Sequence, residues 1–147
     1  MSELYEGGCN CGGVRFTCEG PPDVVGYCHC RICRRATGAP VFVGVVFQTG
    51  KVKIEGEVSR YRSSHRGVRQ FCPTCGSQLF FEPLDKPEWL EVMLGALDAP
   101  ERVKPEQHIW TSRQLPWLKI DDELPRYEMH DPPLDTPTGE ALPPPED

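Results

Sequence analysis

Cysteine is the residue whose spacing first promises chemistry in this chain. There are eight, and seven fall into three short clusters: "GGCNCGG" at 7–13, "CHCRIC" at 28–33 and "FCPTCGS" at 71–77. In the last of these, Cys72 and Cys75 have two residues between them, a turn that lets both sulfurs face one metal ion. Gly76 follows, where such a turn calls for a positive φ. Two further ligands are needed, and the first cluster supplies them. In an extended segment residues i and i+2 point the same way, so Cys9 and Cys11 can chelate the same ion. Four thiolates close a tetrahedral zinc shell, the structural kind. It would also tie residues 9–11 to residues 72–75 across a long loop. The alternative for the Cys-x-x-Cys pair is redox work, but thioredoxin-like motifs belong to βαβ patterns, and none is visible here.

The middle cluster differs. Cys28, Cys30 and Cys33 offer three thiolates in six positions, one short of a closed shell. Cys18 is one candidate for the fourth place, yet it shares the apolar face of "VRFTC" with Val14 and Phe16, which favours the core. His29 is another, but in an extended segment it points away from the sulfurs on either side. The expected fourth partner is a water or a substrate atom, the arrangement of catalytic zinc.

These ligands must be held by something, and the rest of the sequence reads as short strands. "VRFTC" at 14–18 alternates; "VFVGVVF" at 41–47 and "KVKIEG" at 51–56 flank Thr49-Gly50 and read as a hairpin. "VSRYRS" at 58–63, "QLFFE" at 78–82 and "LEVMLGAL" at 90–97 read as further strands, the last buried on both faces. Only "RICRRATG" at 31–38 resembles a helical turn, closed by Gly38. The expectation is a mainly β fold, one folded domain over residues 5–128 in a chain of 147 residues. "DPPLDTPTGEALPPPED" at 131–147 is acidic and Pro-rich and is expected to be a disordered tail.

Charge and hydropathy narrow the function. The net charge is −6, but five acidic residues from Asp131 onward account for most of it, leaving about −1 on residues 1–130. With no basic surplus, nucleic acid is not an expected partner. The longest apolar run, "PVFVGVVF", is too short to span a bilayer, and "MSELYEGG" lacks the features of a secretory signal. Membrane association is not expected, and the location is expected to be cytoplasmic. There, clustered cysteines bind metal more often than they form disulfides.

The motifs together resemble a known family. "GGCNCGGVRF", "CHCRICRRATGAP", "FCPTCGSQLFF" and "PEQHIWTSRQLPW" follow the order and spacing of the glutathione-dependent formaldehyde-activating enzymes, also called the centromere protein V-like domain. The resemblance covers residues 5–128. It implies stacked antiparallel sheets, a structural zinc on Cys9, Cys11, Cys72 and Cys75, and a catalytic zinc on Cys28, Cys30 and Cys33. The implied activity is a carbon–sulfur lyase joining glutathione to formaldehyde.

The three-thiolate shell points toward sulfur chemistry on its own. Three thiolates leave zinc with a net charge of about −1, a poor activator of water but a good stabiliser of a fourth thiolate. Arg31, Arg34 and Arg35 surround the cluster, and Arg34 and Arg35 are the candidates to bind glutathione carboxylates. A simpler role is to offset thiolate charge or to sit in solvent. His108, Trp110 and Trp117 are candidates to wall the pocket or assist proton transfer, although aromatics near proline are more often core anchors. A noncatalytic zinc module that binds a small thiol or a protein is the alternative function.

Overall fold

The computed structural model describes residues 3–129; the expected tail at 131–147 lies outside them. Among the described residues, ten strands form two sheets, accompanied by one short α-helix. A small antiparallel sheet has the order β1 (Leu4–Gly8), β2 (Arg15–Glu19), β5 (Val52–Glu55). The larger contains β3 (Val24–Cys28), β4 (Phe42–Gln48), β6 (Ser59–Ser64), β7 (Gly67–Phe71), β8 (Gln78–Pro83), β9 (Trp89–Met93) and β10 (Gln107–Ile109). Its order is β10-β3-β4-β9-β8-β7-β6, antiparallel except where β10 runs parallel to β3. Among the described residues no helix is long and apolar enough to cross a membrane.

The sheets stack through an apolar core that follows from two-residue alternation. Tyr5, Val14, Phe16 and Cys18 from the β1–β2 side meet Val45, Phe47, Phe80, Leu90 and Val92 from the large sheet. Phe16 packs edge-on against Phe80 with ring centroids 5.0 Å apart, and Tyr5 lies 5.8 Å from Phe47. Cys18 is fully buried in this layer, and burial pushes its thiol up to about 12.

Two expectations need correction. Residues 41–47 and 51–56 do not form a hairpin. β4 pairs with β3 and β9, whereas β5 pairs with β2, and a 3-10 turn at Thr49–Lys51 carries the chain from one sheet to the other. The strand expected over 90–97 ends at Met93, and Leu94–Ala96 forms a second 3-10 turn. Where that turn passes β1, a side chain on Gly7 would stand 2.3 Å from the Ala96 carbonyl, so the close approach requires glycine.

The opposite face of the large sheet carries the chemistry. Register alignment puts Cys28, Phe42, Met93, Glu91, Phe81 and Arg69 on that one face. The single helix, α1 (Arg31–Thr37), follows β3. Gly38 ends it in the left-handed conformation at φ 75°, donating its N–H to the Arg34 carbonyl.

Candidate functional site

Two cysteine clusters form, the first from two turns far apart in the chain and the second from one short segment. In the first, the Sγ atoms of Cys9, Cys11, Cys72 and Cys75 all lie within 4.8 Å of one another. Cys9 and Cys11 are 3.6 Å apart, and Cys11 and Cys72 are 3.8 Å apart. Sulfurs 2.3 Å from a central zinc stand about 3.8 Å apart in a tetrahedron, so this set fits zinc. Both loops turn their amides onto sulfur. Val14 N–H donates to Cys9 Sγ (3.2 Å), Gly13 N–H to Cys11 Sγ (3.4 Å), and the amides of Thr74 and Cys75 to Cys72 Sγ (3.3 and 3.4 Å). Gly12 and Gly76, at φ 82° and 77°, permit these two turns. The Asn10 amide donates to Ser77 Oγ, stitching one loop to the other.

The second cluster brings together Cys28, Cys30 and Cys33, all buried and within 4.8 Å of one another. Cys28 ends β3, and Cys30 caps α1, its sulfur accepting the Cys33 N–H at 3.2 Å. That is the work a Ser or Asp side chain does at other helix starts. Cys33 lies on the inner side of the first turn, with its sulfur 3.4 Å from that of Cys28. Among the described residues this group has no fourth metal-ligating side chain. Cys18 lies in the core between the sheets, away from it. Phe42, Met93 and Trp110 pack around the sulfurs. Trp110 holds the left-handed conformation at φ 57°, unusual for a bulky residue and costing about 1–2 kcal/mol, which its packing here offsets.

His29 turns away from the sulfurs. Its Nε2 is 2.9 Å from His108 Nδ1, and His108 Nε2 is 3.0 Å from Asp122 Oδ2. With the Nε2–H of His108 donated to the Asp122 carboxylate, His108 Nδ1 is the acceptor for the His29 Nε2–H. Tyr27 stacks on His108 with centroids 4.5 Å apart, on the sheet face opposite Cys28. This buried chain fastens β10 and the Asp122 loop to β3. His108 therefore does not line the sulfur cluster, and Trp117 is 68% exposed.

The arginines divide differently from the sequence expectation. Arg34 Nη1 donates to the carbonyls of His29 and Arg113, clamping α1 to the turn after β10. Arg31 is half-buried and Arg35 exposed. The arginine that touches a sulfur is Arg69 on β7, which the sequence reading passed over. It is 4% exposed, its Nη2 lies 3.4 Å from Cys33 Sγ, and its guanidinium sits 4.7 Å over the Phe81 ring. Glu91 stands one strand beyond Phe81, its carboxylate filling the notch left by Gly44. Burial first, then the Cys33 charge, pushes Glu91 up to about 7, with Arg69 pulling the other way. Neither residue carries a local signal, since a charged residue in a strand ordinarily reads as solvent-facing.

The ionisation of the three thiols shows why a cation belongs among them. Hydrogen bonding from Cys30 and then Cys33 drives Cys28 up, while Cys28, Cys30 and Arg69 together bring Cys33 down against its burial. Three thiolates this close need a positive ion to coexist, and the soft donor set suits zinc.

The glutathione-dependent formaldehyde-activating enzyme model matches residues 4–113, three-quarters of the chain. The chain belongs to that family. Both cysteine clusters fall within the matched residues. Residues 114–129, beyond them, supply Asp122 to the buried histidine pair. A protein of Schizosaccharomyces pombe named as an uncharacterized lyase is 31% identical over 77 residues, 52% of this chain and 56% of its own length. The match thus spans little more than half of that relative. The crystal structure of a Rhodobacter sphaeroides protein is similar in fold, with a TM-score of 0.55 at 23% identity over 82% of this chain and 98% of that one.

Proposed function

We propose that this family member is a two-zinc enzyme that joins a thiol to a small aldehyde, with glutathione and formaldehyde giving S-hydroxymethylglutathione. The observation that carries the reading is the contrast between the clusters: one offers four sulfurs, the other three with no fourth protein ligand among the described residues. Zinc held by Cys28, Cys30 and Cys33 would supply a site where a fourth sulfur persists as thiolate at neutral pH. Phe42, Met93 and Trp110 pack around it. A cleft of about 830 Å³ is bordered by Phe42, Met93 and Ala96, which pack on this cluster, and would take the body of the thiol, although the cysteine that lines it is Cys9 rather than one of these three. Arg35, exposed on α1, is the arginine left to meet a thiol carboxylate, because Arg34 is engaged by two carbonyls.

The second reading, a noncatalytic zinc module, draws on the burial of the three cysteines, each residue 7% exposed. Cobalt substitution separates the two. Glutathione should intensify the thiolate-to-cobalt charge-transfer bands, S-methylglutathione should not, and exchange spectroscopy should show faster formation of S-hydroxymethylglutathione than in buffer. Bands that ignore every thiol would transfer the case to the module.

A further inference from the structure

Arg69 holds more hydrogen-bonding capacity than the protein uses. A guanidinium presents five N–H donors, and burying them without partners is costly. Here Nη2 reaches Cys33 Sγ, while Nε and Nη1 are buried without a hydrogen-bond partner. The nearest carboxylate on the same sheet face, Glu91, extends toward Gly44, its Oε2 where a Cβ on that glycine would stand. Phe81, between Arg69 and Glu91 in register, supports the guanidinium from its ring face. A guanidinium is therefore fixed beside Cys33 with two of its nitrogens unpaired.

We propose that Arg69 forms an oxyanion-binding subsite of the second cysteine cluster, receiving the carbonyl oxygen of a small aldehyde as a thiolate adds to it. This rests on the function proposed above. In the step, the sulfur lone pair forms a bond to the carbonyl carbon and the C=O π pair moves onto oxygen. The alkoxide then takes up a proton, equal to the one the thiol released when it ionised. Arg69 stays protonated throughout, so it stabilises the developing charge without donating a proton away. Its slight exposure sets the substrate class, since only a carbonyl compound of very few heavy atoms reaches donors so deeply buried.

The test uses the full-length, metal-loaded protein. Formate, a small stable oxyanion, should shift the guanidinium NMR resonances of Arg69 in the wild-type protein, and formamide should not. Arg69→Met, close in volume, should keep both metals and still show thiol-dependent cobalt bands at saturating glutathione. It should lose about 10²-fold in the rate of aldehyde addition, the size of effect typical for one oxyanion donor. Arg69→Lys should fall between the two. A purely structural role would instead lower metal content and thiol response together. Thiol-insensitive cobalt bands in wild type would overturn the proposed function and this subsite with it. Thiol-responsive bands with an unmoved Arg69 signal, or with an unchanged addition rate in Arg69→Met, would overturn the subsite alone. Should Arg69→Met fail to fold, the wild-type formate shift and the Arg69→Lys rate decide.

Discussion

Cys72 and Cys33 are the same residue in environments that demand different things of it. Cys72 receives two amide N–H groups and lies in a set of four sulfurs joining the β1–β2 turn to the β7–β8 turn. Cys72→Ser should unfold or aggregate the protein, because metal binding in a closed structural shell is also folding energy. Cys33→Ser should stay folded and lose one of two metals. Native mass spectrometry with circular dichroism reads both outcomes, and equal structural loss in the two variants would reject the division of labour. Glu91 gives a residue-scale dependence on pH. Its folded pKa of about 7 exceeds its ordinary 4.5, so between those values the folded state keeps a proton that the unfolded chain has shed. Stability should thus fall as pH rises from 4.5 through 7. Glu91→Gln removes that slope and should gain roughly 1–3 kcal/mol on wild type by pH 8, measured by urea melts across the range. Parallel pH profiles would show that Glu91 ionises freely.

At the scale of elements, three glycines separate space from backbone conformation. Gly7 sits where β1 passes the Leu94–Ala96 turn, and a methyl group there meets the Ala96 carbonyl at 2.3 Å and the Phe16 ring at 2.5 Å. Gly7→Ala should cost about 1–3 kcal/mol by overpacking. Gly38 has open space around it but needs φ 75° to end α1 beside the cysteine cluster. Gly38→Ala should cost about 1 kcal/mol for conformation alone. Gly50, in open space with no positive φ, is the control and should change little on substitution by Ala. Thermal melts should rank them Gly7, Gly38, Gly50 in order of loss. A large loss at Gly50 would mean that the turn between the sheets is more constrained than its geometry shows.

For the molecule as a whole, with a metal ion in each cluster as proposed, the two should leave in sequence. The three-sulfur site has no fourth protein ligand among the described residues, and the four-sulfur site closes a long chain loop. Titration with a chelator, followed by a colorimetric zinc indicator and circular dichroism, should release one equivalent with the β signal intact. The second equivalent should leave only as the fold is lost. Simultaneous release would show that both sites are structural.

The sequence alone was enough for whatever depends on neighbours along the chain. Cys-x-Cys in an extended segment, Cys-x-x-Cys before Gly76 and Gly38 closing a turn are local geometries, and all three appear as read. The apolar face of Val14, Phe16 and Cys18 was likewise visible from its period of two. Pairing partners were not, because β4 and β5 lie close enough in sequence to pair across Thr49-Gly50, yet β4 is held between β3 and β9 while β5 edges the small sheet beside β2. β1, β7 and β10 gave no strand signal, being short and rich in glycine or polar residues. Arg69 and Glu91 were hidden for a related reason. Only the register of β7, β8 and β9 sets them on the face that carries Cys33, 36 and 58 positions earlier in the chain, and no local pattern encodes a contact of that span.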